Sequence, residues 1–204
     1  MSQTAREKEI YQVAARVFRE KGFHAARIQD VADALGMQKG SLYYYISSKE
    51  DLLRGLVEVP IQHMLDDARE VLATGHAPAE KLARVVEVHL RHFQQYRDTF
   101  GIFLREDLEL LEQTSEGDLR ALLGTYDALW DRLLRDGIEA GAFRLDLEVP
   151  VIRKAIIGMC NGTYTWFSAS GPHPIREIAR QFAAFALRGV SARRQGMSVD
   201  MSVE

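Results

Sequence analysis

The side chains best suited to chemistry are concentrated in one short segment, QKGSLYYYISSK at residues 38–49. It contains three consecutive tyrosines, two lysines and several serines, with only Leu42 and Ile46 available to be buried. A short helix used only for packing typically carries Ala, Glu and Leu. The surplus of hydroxyl and ammonium groups therefore indicates a surface that binds another molecule, and such groups can contact the bases and phosphates of DNA.

The residues before this segment predict the helices that would position it. Gly36 stands where a helix ends in a left-handed residue, and Ser47-Ser48 offers N-cap hydroxyls for a following helix. One apolar face recurs at helical spacing in the preceding helix, at Ile28, Val31, Ala32 and Leu35. Two helices joined by a short glycine turn form a helix-turn-helix, whose second helix can enter the DNA major groove.

Residues 8–56 resemble the amino-terminal DNA-binding domain of TetR-family transcriptional regulators. The resemblance is carried by FREKGF at 18–23, IQDVA at 28–32, KGSLYY at 39–44 and SKEDL at 48–52. It implies a DNA-binding repressor rather than an enzyme. It implies base-edge contacts from Lys39, Ser41 and Tyr43, with Gln38 as a further candidate, and close backbone approach at Gly40. Phosphate contacts would come from Arg27, Tyr44, Tyr45 and Lys49.

Two positions depart from the family pattern. Ala26 and Arg27 stand where the family usually places a Thr or Ser that caps the second helix. Loss of such a cap costs about 0.5–2 kcal/mol, although Arg27 could supply a phosphate contact. Gln38 replaces another Ser or Thr and adds a side chain able to pair with an adenine edge. The operator sequence is therefore not readable from this chain.

Composition and charge agree with this interpretation. The chain has 204 residues, 47 % of them hydrophobic, and five prolines, so a sizeable core is available. The net charge is −3, yet residues 1–50 carry eight Lys/Arg against six Asp/Glu. We expect no membrane span and no signal peptide, and the single cysteine, Cys160, is compatible with the cytoplasm.

The rest of the chain predicts an all-α fold, with a helical bundle following the three-helix DNA-binding domain. We expect a helix-turn-helix domain at 1–48, a ligand-binding and dimerisation bundle at 49–191, and a flexible tail at 192–204. Helices are predicted to kink at Pro60, to be interrupted near Gly101 and to close at Gly141. New helices are predicted from a capping box at 115–118, from an Asp146 cap and from Pro174.

The end of the bundle resembles a TetR subgroup that controls fatty-acid and steroid catabolism and responds to acyl-CoA thioesters. The matching residues are GMCNGTYTWF at 158–167, Gly171-Pro172 and 177–179. An acyl chain needs an apolar tunnel and the phosphates of CoA need cations. The predicted lining is Phe93, Arg97, Phe100, Phe103, Leu104, Tyr126, Trp130, Met159, Thr163 and Trp166. The family implies a homodimer, here through Gly162, Trp166, Phe167, Ile178, Phe182 and Phe185, which would bind a pseudo-palindromic operator.

Several alternatives stay open. An aromatic drug is the rival effector, which would make the protein a repressor of an efflux or detoxification gene. A ligand-blind DNA binder, an activator, and a helical enzyme or carrier are further alternatives, although no catalytic constellation is recognisable. We expect no metal and no cofactor, because His63, His89 and His92 lack a metal-binding pattern. Cys160 lies in an apolar helix and is expected to be a buried packing thiol.

Overall fold

The computed structural model describes residues 5–103 and 118–192, and these residues fold into helices joined by short connections. The helices are α1 (Ala5–Lys21), α2 (Ile28–Ala34), α3 (Lys39–Leu42), α4 (Lys49–Ala73), α5 (Pro78–Gln95), α6 (Arg97–Phe103), α7 (Asp118–Glu139), α8 (Val149–Trp166) and α9 (Ile175–Val190). Within the described ranges the extended pairing is limited to one bridge, between Phe143 and Ser191. The all-α prediction is confirmed.

The predicted helix ends are set by local backbone chemistry. Gly36 and Gly141 adopt φ values of +64° and +68°, the left-handed conformation that only glycine takes without strain. Ser48 caps α4, because its hydroxyl accepts a hydrogen bond from the Asp51 N–H at 2.9 Å. The Asp51 carboxylate in turn accepts from the Ser47 N–H at 3.0 Å, which ties the residue before the cap to the first turn of α4.

Other boundaries differ from the sequence predictions. Gly101 does not interrupt a helix, since α6 runs through it to Phe103. Asp146 does not cap α8; Glu148 takes that position and Asp146 pairs with Arg144 at 2.5 Å. The α4 helix continues through the buried Pro60. Residues 115–117 of the predicted capping box and residues 193–204 of the predicted tail lie outside the described residues.

The bundle is built around α5, whose apolar face packs against α4, α7 and α9. The first helix joins the DNA-binding segment to this bundle, because α1 contacts α2, α4 and α6. Arg19 of α1 pairs with Asp98 of α6 across this junction. The division predicted between residues 48 and 49 falls at the first turn of α4 and stays a prediction.

Two junctions between helices depend on an aromatic ring packed directly on a glycine. A β-carbon on Gly55 would lie 2.3 Å from the Tyr11 hydroxyl, where α1 meets α4. A β-carbon on Gly101 would lie 2.5 Å from the Tyr164 hydroxyl, where α6 meets α8. Both distances are far inside van der Waals contact, so these helices approach closely because the glycines lack a side chain.

Candidate functional site

The segment 28–46 forms the predicted helix-turn-helix. Ile28, Val31 and Ala32 are buried along one face of α2. The Met37 N–H, just after Gly36, donates to the Ala32 carbonyl at 2.9 Å. The α3 helix starts three residues after Gly36, at Lys39. The short α3 helix and the turn after it are anchored by Leu42, which is fully buried, and Ile46. The other residues of α3 and of the turn after it, 39–41 and 43–45, are exposed.

The side chains predicted to meet DNA bases lie together on that outer surface. Tyr44 is 88 % exposed, and its neighbours Tyr43 and Tyr45 are also exposed. The Lys39 ammonium lies 5.7 Å from the centre of the Tyr43 ring. The other predicted residues, Gln38, Gly40 and Ser41, are exposed as well. Large tyrosines are seldom left on the surface without a partner, so this patch has the chemistry of a binding surface.

The start of α2 has no cap hydroxyl and is stabilised instead by the Asp30 carboxylate. The Arg27 backbone N–H donates to the Asp30 carboxylate at 2.7 Å. Asp30 also accepts from the Lys21 ammonium at 2.7 Å, and this hydrogen bond, followed by that from Arg27, lowers the pKa of Asp30. The Arg27 side chain is exposed at the same end of α2. Its predicted phosphate contact stays a prediction.

Lys49 has an intramolecular role that the sequence did not indicate. Its ammonium donates to the carbonyl oxygens of Phe23 at 2.9 Å, Ala26 at 3.2 Å and His24 at 3.4 Å. It also lies 4.4 Å from the centre of the Phe23 ring. An ammonium has three N–H donors, and these three carbonyls can take all of them. Lys49 therefore fastens the connection between α1 and α2 to the first turn of α4.

The bundle core contains a buried polar network. His89 is 2 % exposed; its Nδ1 lies 3.0 Å from the Tyr126 hydroxyl and its Nε2 lies 2.9 Å from the Asn161 side-chain oxygen. Burial lowers the pKa of His89 to about 4 and raises that of Tyr126. His89 is therefore neutral near pH 7, with one ring nitrogen donating and the other accepting. The pairing of His89 with Asn161 was not predicted from the sequence.

Four of the predicted pocket residues surround this network but pack as core. The Phe93 ring stacks on His89 and on Phe100, and the Tyr126 ring contacts Trp130 edge to face. Beside Phe93, Arg97 and Thr163 the cavity volume is only about 10 Å³. An effector could enter this cavity only if α5 and α8 moved apart.

The other predicted pocket residues are placed differently. Arg97 donates to the carbonyl oxygens of Phe167 and of Tyr164, the latter at 3.1 Å, so its guanidinium holds the end of α8. Trp166 is 54 % exposed on the surface, which argues against a pocket role, and Met159 is half-buried. Leu104 and the side chain of Phe103 lie outside the described residues.

A much larger cavity of about 480 Å³ lies at the junction of α1, α4 and the α5–α6 connection. Its floor includes the buried Leu56, Pro60 and Thr99, and its rim is polar. This cleft, which we call the junction cleft, was not predicted, because its residues come from three segments that are distant in sequence. Its full lining is Lys8, Tyr11, Gln12, Ala15, Gly55, Leu56, Val59, Pro60, His63, Gln94, Gln95, Tyr96, Arg97, Asp98 and Thr99.

The predicted dimer face divides into exposed and buried residues. Phe185 is 73 % exposed, and the exposed Trp166 contacts the half-buried Phe182 edge to face. Gly162 has open space where a β-carbon would lie. Phe167 and Ile178, in contrast, are buried within the protomer. These two residues support α8 and α9 from inside, which corrects their prediction as direct contacts.

Three further features concern Cys160, metal binding and membrane-spanning helices. Cys160 is fully buried, and burial raises the pKa of its thiol to about 12, as expected of a packing residue. The described part of the chain contains no group of three or more His, Cys, Asp or Glu suited to a metal ion. In residues 5–103 and 118–192, no helix has both the length and the apolar character needed to cross a membrane.

A helix-turn-helix that exposes a short polar helix and the three tyrosines after it, with a helical bundle behind it, defines a DNA-binding transcriptional regulator. The family model described as "Bacterial regulatory proteins, tetR family" matches residues 10–56, and "Tetracyclin repressor-like, C-terminal domain" matches residues 75–190. The second match alone spans more than half of the chain. The protein belongs to the TetR family, whose members are DNA-binding regulators rather than enzymes.

Named relatives agree with this assignment. The HTH-type transcriptional repressor KstR2 of Mycobacterium tuberculosis is 25 % identical over 187 residues, which cover 92 % of this chain and 94 % of that protein. The fatty acid metabolism regulator protein of Bacillus subtilis is 26 % identical over 159 residues, covering 77 % and 80 %. The TetR family transcriptional regulator PfmR from Thermus thermophilus superposes with a TM-score of 0.76 at 31 % identity, covering 88 % and 97 %.

Proposed function

We propose that this TetR-family regulator is a dimeric repressor that leaves a pseudo-palindromic operator when an acyl-CoA enters its bundle. The observation that carries the DNA-binding part is the exposure of α3. Its polar side chains share one outer surface while Leu42 and Ile46 hold it from behind. In helix-turn-helix docking, the first turn of the second helix reaches base edges. Here that turn carries Lys39 and Ser41.

The residues of this surface divide into two groups by reach and chemistry. We propose that Lys39, Ser41 and Tyr43 contact base edges, with Gln38 at the N-cap of α3 beside them. Gly40 lets the backbone approach the groove. Tyr44, Tyr45 and Arg27 are exposed around this centre and suit phosphates, which fix register without reading sequence. Lys49 supports the same surface indirectly, by holding the α1–α2 connection.

The exposed apolar face of α8 and α9 supports a homodimer. Trp166 and Phe185 are large side chains left in solvent, and interfaces are enriched in such aromatic anchors. Phe182 lies between the two helices, and Gly162 allows close approach of a partner helix. A two-fold dimer would place its α3 helices about 34 Å apart, one turn of DNA.

Two observations support the effector proposal: the polar group inside the bundle core and the names of the relatives. The two curated relatives are named as a fatty acid metabolism regulator and as KstR2, which a solved structure describes as a ketosteroid transcriptional regulator. In this chain, His89, Tyr126 and Asn161 form a polar group inside an aromatic core. Such a group could bind a thioester carbonyl while the aromatic side chains cover the acyl chain.

This arrangement gives a physical basis for release from DNA. In the described residues, His89 and Tyr126 are buried, and the cavity beside the neighbouring Phe93 is only about 10 Å³. An acyl chain would therefore bind a more open bundle. A ligand shifts an equilibrium only by its difference in affinity for the two states. We infer that the closed bundle is the operator-binding state and the open bundle the released state.

The test combines operator selection with effector screening. Duplexes selected from a random pool by the full-length protein should share a pseudo-palindrome, and Lys39→Ala should relax one base position in each half-site. Binding should also weaken steeply with salt. If Lys39→Ala left both affinity and base preference unchanged, the assignment of α3 as the reading helix would be wrong.

The effector is then identified by thermal shift with acyl-CoAs of graded chain length and with hydrophobic aromatic drugs. A ligand at one hundred times its dissociation constant adds about 2.7 kcal/mol to the free energy of unfolding. The same acyl-CoA should release the selected duplex. A stability gain and duplex release with a drug, but with no acyl-CoA, would reject the lipid assignment and favour a drug-responsive repressor.

A further inference from the structure

We propose that the junction cleft is a second small-molecule site, separate from the bundle core, for a fused-ring carboxylate. Its volume of about 480 Å³ lies within the roughly 300–1,000 Å³ typical of ligand pockets. The cavity beside Phe93 and Thr163 is about 10 Å³. Of these two cavities, the one large enough for a small molecule lies between the DNA-binding helices and the bundle.

The surfaces of the cleft favour a flat ring system. Leu56, Pro60 and Ala15 are buried apolar residues of the lining. The aromatic rings of Tyr11 and Tyr96 are part of the same lining. Aromatic and apolar side chains supply most of the contact area in small-molecule sites, while a few polar groups fix orientation.

Of the charged residues that line the cleft, Lys8 offers an ammonium to an anion. Asp98 is neutralised by Arg19, and the Arg97 guanidinium is held by two carbonyls at the end of α8. His63 is engaged with the Tyr96 hydroxyl at 3.0 Å. Lys8 is exposed at the rim and forms no ion pair with any residue in the described ranges. One unpaired ammonium above an apolar floor suits a single carboxylate.

The position of the cleft connects its occupant with DNA binding. Lys8 and Tyr11 belong to α1, and Val59 belongs to α4. Asp98 lies in the first turn of α6 and pairs with Arg19 of α1. A bound ligand would therefore contact the DNA-binding part and the bundle at once. By linkage, any effect of this ligand on duplex affinity must equal the effect of duplex on ligand affinity.

The test uses the full-length protein and 2-naphthoate, with neutral 2-naphthamide as the matched ligand, in isothermal titration calorimetry. We expect saturable binding of 2-naphthoate, one per protomer, with a dissociation constant below about 1 mM. Lys8→Gln should weaken naphthoate about two- to five-fold, as for an exposed ion pair, and leave naphthamide unchanged. Lys154→Gln, an exposed lysine on α8, is the control and should change neither ligand.

A second pair of variants tests the location. Val59→Trp fills the cleft from α4, and Gln12→Trp covers it from the exposed rim, so at least the latter should leave folding intact. Either folded variant, verified by thermal unfolding, should lose naphthoate binding. Undiminished binding in the folded tryptophan variants, or no saturable binding to the wild type, would overturn the proposal. Because naphthoate itself is measured, the result does not depend on a response to acyl-CoA.

Discussion

Replacing Lys49 by methionine separates a structural role from a phosphate contact. The methionine keeps most of the aliphatic length of the side chain but removes its ammonium. The carbonyl oxygens of Phe23, His24 and Ala26 then lose their shared donor, and the Phe23 ring loses the cation 4.4 Å from its centre. The first turn of α4 is no longer fastened to the connection that precedes α2.

The magnitude follows from these interactions. Hydrogen bonds from a charged donor contribute about 1.5–3 kcal/mol net, and an exposed cation–π contact contributes about 0.5–1 kcal/mol. We therefore expect Lys49→Met to lower the free energy of unfolding by about 2–4 kcal/mol. For a chain of this length the melting temperature should fall by roughly 4–16 °C. Lys154→Met should stay within about 0.5 kcal/mol of the wild type.

The assay pairs thermal unfolding with duplex binding at graded salt concentrations. Removing one phosphate-binding cation would reduce the slope of log affinity against log salt by about 0.9. Because three carbonyls take the three donors of Lys49, we expect weaker duplex binding with an unchanged slope. A reduced slope with unchanged stability would refute this reasoning and restore Lys49 as a phosphate contact.

Two further predictions concern the bundle. Burial lowers the pKa of His89 to about 4, below its unfolded value near 6.5, so its stabilising contribution is present above pH 6.5 and is lost as the pH falls towards 4. The free energy of unfolding, measured with urea, should fall by about 3 kcal/mol over this pH range. His89→Gln should abolish this pH dependence, and His76→Gln should keep it. Equal pH dependence in the wild type and both variants would contradict the prediction. Phe185→Glu should convert the dimer to a monomer in size-exclusion chromatography with light scattering, because the side chain is 73 % exposed on the proposed interface. Leu145→Glu, which changes a residue that is 84 % exposed in the connection between α7 and α8, should stay dimeric, and a dimeric Phe185→Glu would exclude this interface.

The helix-turn-helix was predictable because its signals are local. A left-handed Gly36, a capping Ser48 and a buried Leu42 each act within a few residues of their own position in the chain. The helical spacing of the apolar residues in α2 predicted directly which of its faces is buried. The exposure of the tyrosines was also predictable, since only Leu42 and Ile46 in this segment are apolar enough to hold it against the core.

The interior of the bundle was less predictable because its contacts are non-local. His89 meets Tyr126 and Asn161, which lie 37 and 72 residues away in sequence. Aromatic residues at helical spacing look the same whether they line a cavity or fill a core, and Phe93 and Trp130 fill a core. The junction cleft is formed by three segments that are distant in sequence, and no single segment carries a signal for it.

The two glycine–aromatic contacts restrict how this sequence can change over evolutionary time. At Gly55 an alanine would collide with the Tyr11 ring, and at Gly101 with the Tyr164 ring. Each position can therefore accept a side chain only if its partner ring moves away or becomes smaller in the same lineage. We expect residues 11 and 55, and residues 101 and 164, to covary as pairs among relatives that keep this helix spacing. Grafting the DNA-binding segment onto another bundle would succeed only when residues 11 and 55 are transferred together.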